Sequence, residues 1–379
     1  MNFLKLLLLL AVAGVCVYFY LGDKKKSNEN APQPASSALS ASSASSASPA
    51  LRPLPPASDV VPAPGSLAAK IMAVDARRPY LQKGNMRHND LRSYYWKADI
   101  EKKGIPNLKE AKKVLAKMEG VFEEYRKLNE CTTLGITPIA DPRWGLPYLQ
   151  PMRVVVWELL FSAEYHFLCG NKKQGLKDIE TALHVTNLLV KEASYAIDLL
   201  VAVACSSYFA PVIKRINLPA KEKERILRKL PGREQYAAAL PAVLKSEKNM
   251  LLFSLEWAPE LEHAAMEKII KAPRPRNTSA EAAEEQRKKV RKEMEEYYGN
   301  LKKLKEIPVE KLEKVYADCA AFLVKSFKEN TLTRETKYTT GSAEDDRIFA
   351  MLQKVLRVNF ASMFSEKIDR LEKHLGLKK

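Results

Sequence analysis

From about position 66 onward, apolar residues recur every third or fourth place and never alternate with polar ones long enough to make a strand. Residues 108–128 show the pattern: Val114, Leu115, Met118, Val121, Phe122 and Tyr125 fall on one face of one helix. A chain patterned this way buries its core only by packing helix on helix, so the body is predicted to be all-α. Apolar residues form 46% of the chain and glycine only 14 of 379 residues, enough grease for a core and few helix breakers. Further helices are predicted at 152–169, 176–190, 195–212, 219–230, 233–255, 259–270, from about 280, at 308–327 and at 343–375. Residues 132–147, 271–279 and 330–341 read as loops. The 195–212 segment is nearly all apolar, but Asp198 interrupts it and only 199–205 runs unbroken, so it reads as a central buried helix rather than a membrane span.

The N-terminus has a different composition. Residues 6–21 are apolar or aromatic, and Asp23 with Lys24, Lys25 and Lys26 closes the run. As a helix, residues 4–21 reach about 27 Å, close to the hydrocarbon thickness of a bilayer. Tyr18 and Tyr20 stand where interfacial aromatics belong, and Lys5 can snorkel. Residues 1–26 are therefore expected to be a transmembrane signal-anchor. A cleaved signal at Ala11-Val12-Ala13 and a lipid attachment at Cys16 are the alternatives. Residues 27–65 hold an Ala/Ser block and then Pro49, Pro53, Pro55, Pro56, Pro62 and Pro64, and are expected to be a disordered linker. The helical domain is then 66–379. Lys24 to Lys26 favour a cytoplasmic body by the positive-inside rule, while the short N-terminal tail and the stalk-like linker favour a periplasmic one, the orientation taken here.

Residues 156–189 carry small residues at Ala163, Gly170, Gly175 and Ala182, with Gly170-Asn171 as the turn and Ile179 at a large apolar position. That spacing resembles one tetratricopeptide repeat, departing from it at Leu159, His166 and Asn187. The resemblance covers 34 residues and implies a helical scaffold that grips a peptide or protein. The order of parts also resembles membrane-anchored helical proteins of bacterial envelopes. The expected architecture is an irregular multi-helix bundle or a short tetratricopeptide-like array behind a single N-terminal span.

Signatures of chemistry are sparse. There is no His-Glu-x-x-His, Gly-x-Ser-x-Gly, Gly-x-Gly-x-x-Gly or P-loop. One Glu-x-x-His, Glu260 with His263, occurs where di-iron bundles need two. Cys131, Cys169, Cys205 and Cys319 are too scattered for a zinc or redox motif, and their pairing is open. Glu256 beside Trp257 offers a carboxylate near an aromatic, as a helical glycan hydrolase would need. Glu158, Glu164, His166, Glu180 and His184 straddle the hairpin turn and form the alternative polar cluster of an envelope enzyme. No cofactor is expected, and no metal site in the preferred reading.

The net charge of +17 has more structure. Residues 214–248 hold ten Lys or Arg against four Glu, and the 271–276 loop adds Lys271, Arg274 and Arg276 uncompensated. No nucleic-acid reading element accompanies them. A protein or anionic envelope component is the expected partner, and the inner membrane is engaged through residues 4–21. Contact residues are expected at Lys271, Arg274 and Arg276, and at Asp141, Arg143 and Trp144 in the long loop, since Trp and Arg favour binding hot spots. The preferred function is a membrane-tethered interaction or scaffold protein.

Overall fold

The chain is described by a computed structural model over residues 52–56, 59–76, 103–143, 145–271, 279–332, 339, 341–356 and 359–375. Every regular element among these residues is helical. In chain order they are α1 (Leu67–Ala76), α2 (Leu108–Ala116), α3 (Glu119–Arg126), a 3-10 turn (Lys127–Glu130), α4 (Leu149–Leu168), α5 (Lys172–Lys191), α6 (Ala196–Ser207), α7 (Phe209–Arg215), α8 (Ala220–Leu227), α9 (Arg233–Glu256), α10 (Ala258–Lys271), α11 (Ala280–Lys305), α12 (Val309–Lys328), α13 (Ala343–Leu356) and α14 (Asn359–Leu375). The expected apolar span at residues 4–21 and its flanking lysines lie outside the described residues.

The antiparallel α4–α5 hairpin is the centre. Gly170 turns the chain at φ +81, a conformation that costs glycine little, and the Asn171 side chain accepts from the Gln174 N–H to start α5. A Cβ on Gly175 would stand 2.7 Å from the Phe167 ring and 3.2 Å from the Ala163 carbonyl, so the close crossing requires a glycine there. Leu159, Ala163, Ile179 and Ala182 of the two helices are fully buried. Each large side chain so enclosed contributes about 1.5–3 kcal/mol. Helix α6 lies on both arms of the hairpin, α9 crosses α5 and carries α12, and α10, α11 and α13 extend the body. Helix α14 returns to α6 and α12. Arg233 holds it there, with Nη1 donating to Phe327 O and Ser365 Oγ and Nη2 to Asp369 Oδ1. The Arg233 backbone N–H donates to Glu372.

Several expected boundaries move. Residues 108–128 are not one helix: α2 and α3 are offset at Lys117 and Met118, where Gly120 weakens helix propensity and Met118 turns into the core. The 195–212 segment divides at Tyr208, because Pro211 has no N–H to carry the ladder across Ser207. By length and composition Ala196–Arg215 is apolar enough to cross a membrane, yet over half of it is buried inside the body.

The expected linker also ends earlier than Ser66. Residues 52–56 and 59–65 run along the body as a strap: Val60 is buried and donates its N–H to Gly145 O, Ala63 donates to Gly135 O, and Arg143 Nη2 donates to Pro55 O. A proline-rich stretch loses little entropy on ordering, so a few buried groups suffice to fasten it.

Candidate functional site

Three helices meet in a polar seam at the middle of the hairpin. Asp178 on α5 is fully buried and accepts from Arg126 Nε of α3 at 2.9 Å, Ser162 Oγ of α4 at 2.7 Å and Gln174 Nε2 at 2.8 Å. His166 Nε2 lies 4.0 Å from the second Asp178 oxygen. Burial lowers the His166 pKa below its ordinary value, and Arg126 adds to this, against the opposing pull of Asp178 and Glu119. The ring is therefore neutral at neutral pH. One turn away, Tyr125 donates to the fully buried Glu158 at 2.7 Å, and Asn129 donates to Thr181 Oγ1.

The five residues of the expected polar cluster do not converge. Glu158 faces Tyr125 and His166 faces Asp178, while His184 Nε2 bonds the Cys131 carbonyl at 2.7 Å and Glu180 is exposed. Glu164 points to the other side of α4 and makes a two-pronged ion pair with Arg215, both bonds 2.8 Å. Gly104 at φ +79 roofs that pair, since a Cβ there would come within 2.6 Å of Glu164 Oε1. His263 is exposed while Glu260 bonds Arg52, so the single Glu-x-x-His does not aim inward as a unit. Among the described residues no group of three metal-ligating side chains comes together. Cys131, Cys205 and Cys319 are buried free thiols and Cys169 is an exposed one. Burial pushes the Cys205 and Cys319 thiols up to about 12, so neither is a ready nucleophile.

A second polar cluster sits at the start of α6. Asp198 is fully buried and accepts from Tyr148 Oη at 2.8 Å and from the Ser194 and Tyr195 N–H groups, each at 2.9 Å. Glu247 of α9 approaches the same helix end and accepts from the Ala196 N–H at 3.2 Å. Desolvation raises Asp198 to about 6 in spite of its donors, and desolvation with the Asp198 charge raises Glu247 to about 7. Two carboxylates share one helix N-terminus, whose dipole favours them.

The expected contact loop is partly committed internally. Asp141 is buried and takes the Arg143 guanidinium in two-pronged geometry, with Nη2 at 2.6 Å. Arg143 is then shared with the strap, which makes the pair a clamp and not an open anchor. Trp144, Arg274 and Arg276 lie outside the described residues, as does the side chain of Lys271 at the end of α10. On α11, Lys288, Arg291 and Lys292 are exposed, and none has a carboxylate partner among the described residues. Ser279 caps this helix by accepting from the Ala282 N–H at 3.1 Å, and Lys302 pairs with Glu262 of α10.

Sequence reasoning passed over Asp178, Arg126 and Glu247. Asp178 had a signal: it falls on the face that Gly175, Ile179 and Ala182 mark as buried, where an ionised residue needs a partner. No protein-family model, curated protein or solved structure matches this chain.

Proposed function

We propose that the chain is a membrane-tethered helical interaction protein of the bacterial envelope. It is held through residues 4–21 with its body on the periplasmic side, and the α4–α5 hairpin is its one tetratricopeptide-like unit. The observation that carries the reading is the exposed cationic stretch of α11. Lys288, Arg291 and Lys292 stand in solvent with no carboxylate partner among the described residues, whereas Glu158, Glu164, Asp178 and His184 of the hairpin each bond a structural neighbour. Exposed cations on a helix suit an anionic protein surface or envelope polymer, and confinement by a tether lets a weak contact suffice. Lys271, Arg274 and Arg276 precede α11 in sequence and extend the same charge.

The test places a photo-crosslinking residue at Lys288 of the full-length chain in intact membranes. A discrete adduct is expected, weakened by high salt and lost in the charge-reversed variant K288E/R291E/K292E. Absence of any salt-sensitive adduct from a membrane-retained, folded chain refutes the interaction reading. A reporter active only outside the cytoplasm, fused after Lys379, is expected to give signal. Release of the full-length chain by alkaline carbonate refutes the tether.

A further inference from the structure

The corner where α9 ends and α10 begins has the parts of a cation receptor. Trp257, between the two helices, offers its ring face and is backed by Phe253 at a centroid distance of 6.1 Å in a stacked pose. Glu260, in the first turn of α10, is only 7% exposed, and its Oε2 is buried with no hydrogen-bond partner among the described residues. The Glu256 carbonyl, among the last of α9, carries the negative end of that helix toward the same point. An aromatic face, a carboxylate with spare acceptor capacity and a helix-end carbonyl together select a planar cation.

That seat is filled from within the chain. The Arg52 guanidinium carbon lies 4.2 Å from the Trp257 ring centroid. Its Nε and its backbone N–H donate to Glu260 Oε1 at 3.2 and 3.3 Å, and Nη2 donates to Glu256 O at 3.1 Å. Lys305 Nζ reaches the same carbonyl at 3.5 Å. Glu260 is enclosed, yet the Arg52 side chain is 54% exposed and leaves Oε2 unused, so the receptor is better built than its occupant is held. A purely structural fastening has no need of the free, buried oxygen.

We propose that the α9–α10 corner is a guanidinium-binding site occupied in cis by Arg52, and that an arginine-bearing peptide segment of a partner takes the seat when residues 52–56 lift away. The site is distinct from the cationic stretch of α11 and stands whether or not an anionic partner binds there.

The probe is N-acetyl-arginine methylamide, added to the full chain carrying fluorotryptophan, with the Trp257 signal assigned by W257F. In R52A the Trp257 resonance should shift saturably with a dissociation constant of ~1–10 mM, as expected for one cation-π contact and one charged hydrogen-bond pair. The unaltered chain should need at least about tenfold more probe, because the ligand competes with an intramolecular one. R52A/E260Q should lose the response, and N-acetyl-glutamine methylamide should give none. No shift in R52A up to about 50 mM probe, or an equal shift in R52A/E260Q, overturns the proposal. A second measurement leaves the fold untouched: the probe should speed hydrogen exchange at the Arg52 amide of the unaltered chain. Unchanged protection counts against displacement.

Discussion

Glu247 gives the sharpest test of how the body is balanced. Its carboxyl is raised from 4.5 to about 7 by desolvation and the neighbouring Asp198 charge, offset only by one backbone N–H from Ala196. A carboxyl raised on folding is protonated in the native state while the unfolded chain has already released its proton. Its contribution is fully present below about pH 4.5 and is lost as pH rises through about 7. A rise of that size corresponds to about 3 kcal/mol, which solvent at the edge of the half-buried side chain trims to ~1–2 kcal/mol. Gln in place of Glu247 keeps an oxygen for the Ala196 N–H and removes the charge. E247Q is therefore expected to be more stable than the parent by ~1–2 kcal/mol at pH 8 and about equal at pH 5, a gain of about 2–6 °C in Tm at the higher pH. Urea unfolding followed by helical circular dichroism at pH 5, 6.5 and 8 measures it. Asp198 shifts in the same direction and remains in the variant, so the slope should shrink without vanishing. A variant destabilised equally at all three pH values would refute the assignment of Glu247 as a strained, ionised group.

Four other substitutions probe separate contacts. R126M strands the Asp178 charge in the hairpin seam and is expected to cost about 3–5 kcal/mol by urea unfolding; a loss below about 1 kcal/mol would mean that Ser162 and Gln174 alone satisfy the carboxylate. G104A drives a Cβ into the Glu164–Arg215 pair at positive φ and should lose about 1–3 kcal/mol, whereas G120A, in open space within α3, should gain about 0.5–1 kcal/mol. The same sign for both would sink the distinction. R233M removes three side-chain bonds to α12 and α14 and should speed hydrogen exchange across Asn359–Leu375 more than across α4–α5; uniform acceleration would place Arg233 in global stability instead of local docking.

The helical class and the α4–α5 hairpin were readable because both depend on local spacing. The turn at Gly170, the crossing at Gly175 and Ala163 and the buried Ile179 follow from residues within one segment. Polar partnerships were not readable, because they join residues far apart in sequence: Glu164 with Arg215, Asp178 with Arg126, Arg52 with Glu260. Glutamates and histidines straddling one turn look like a cluster in sequence, yet rotation around the helix sends Glu158 and Glu164 to different neighbours. The strap was missed for a compositional reason. Proline-rich sequence signals lack of regular structure, which is compatible with a fixed path once Val60 finds a pocket and Arg143 a carbonyl.

Fastening of that strap shortens whatever leash precedes it. If residues 52–65 hung free and extended, they would add roughly 40 Å of play at about 3.1 Å per residue. Bonded to the body, they add none, and the pivot sits at the Trp257 corner. On the proposed tether, trimming the Ala/Ser block should bring the body nearer the membrane residue by residue, whereas trimming between 52 and 65 should pull out a rivet and leave the working length almost unchanged or even greater.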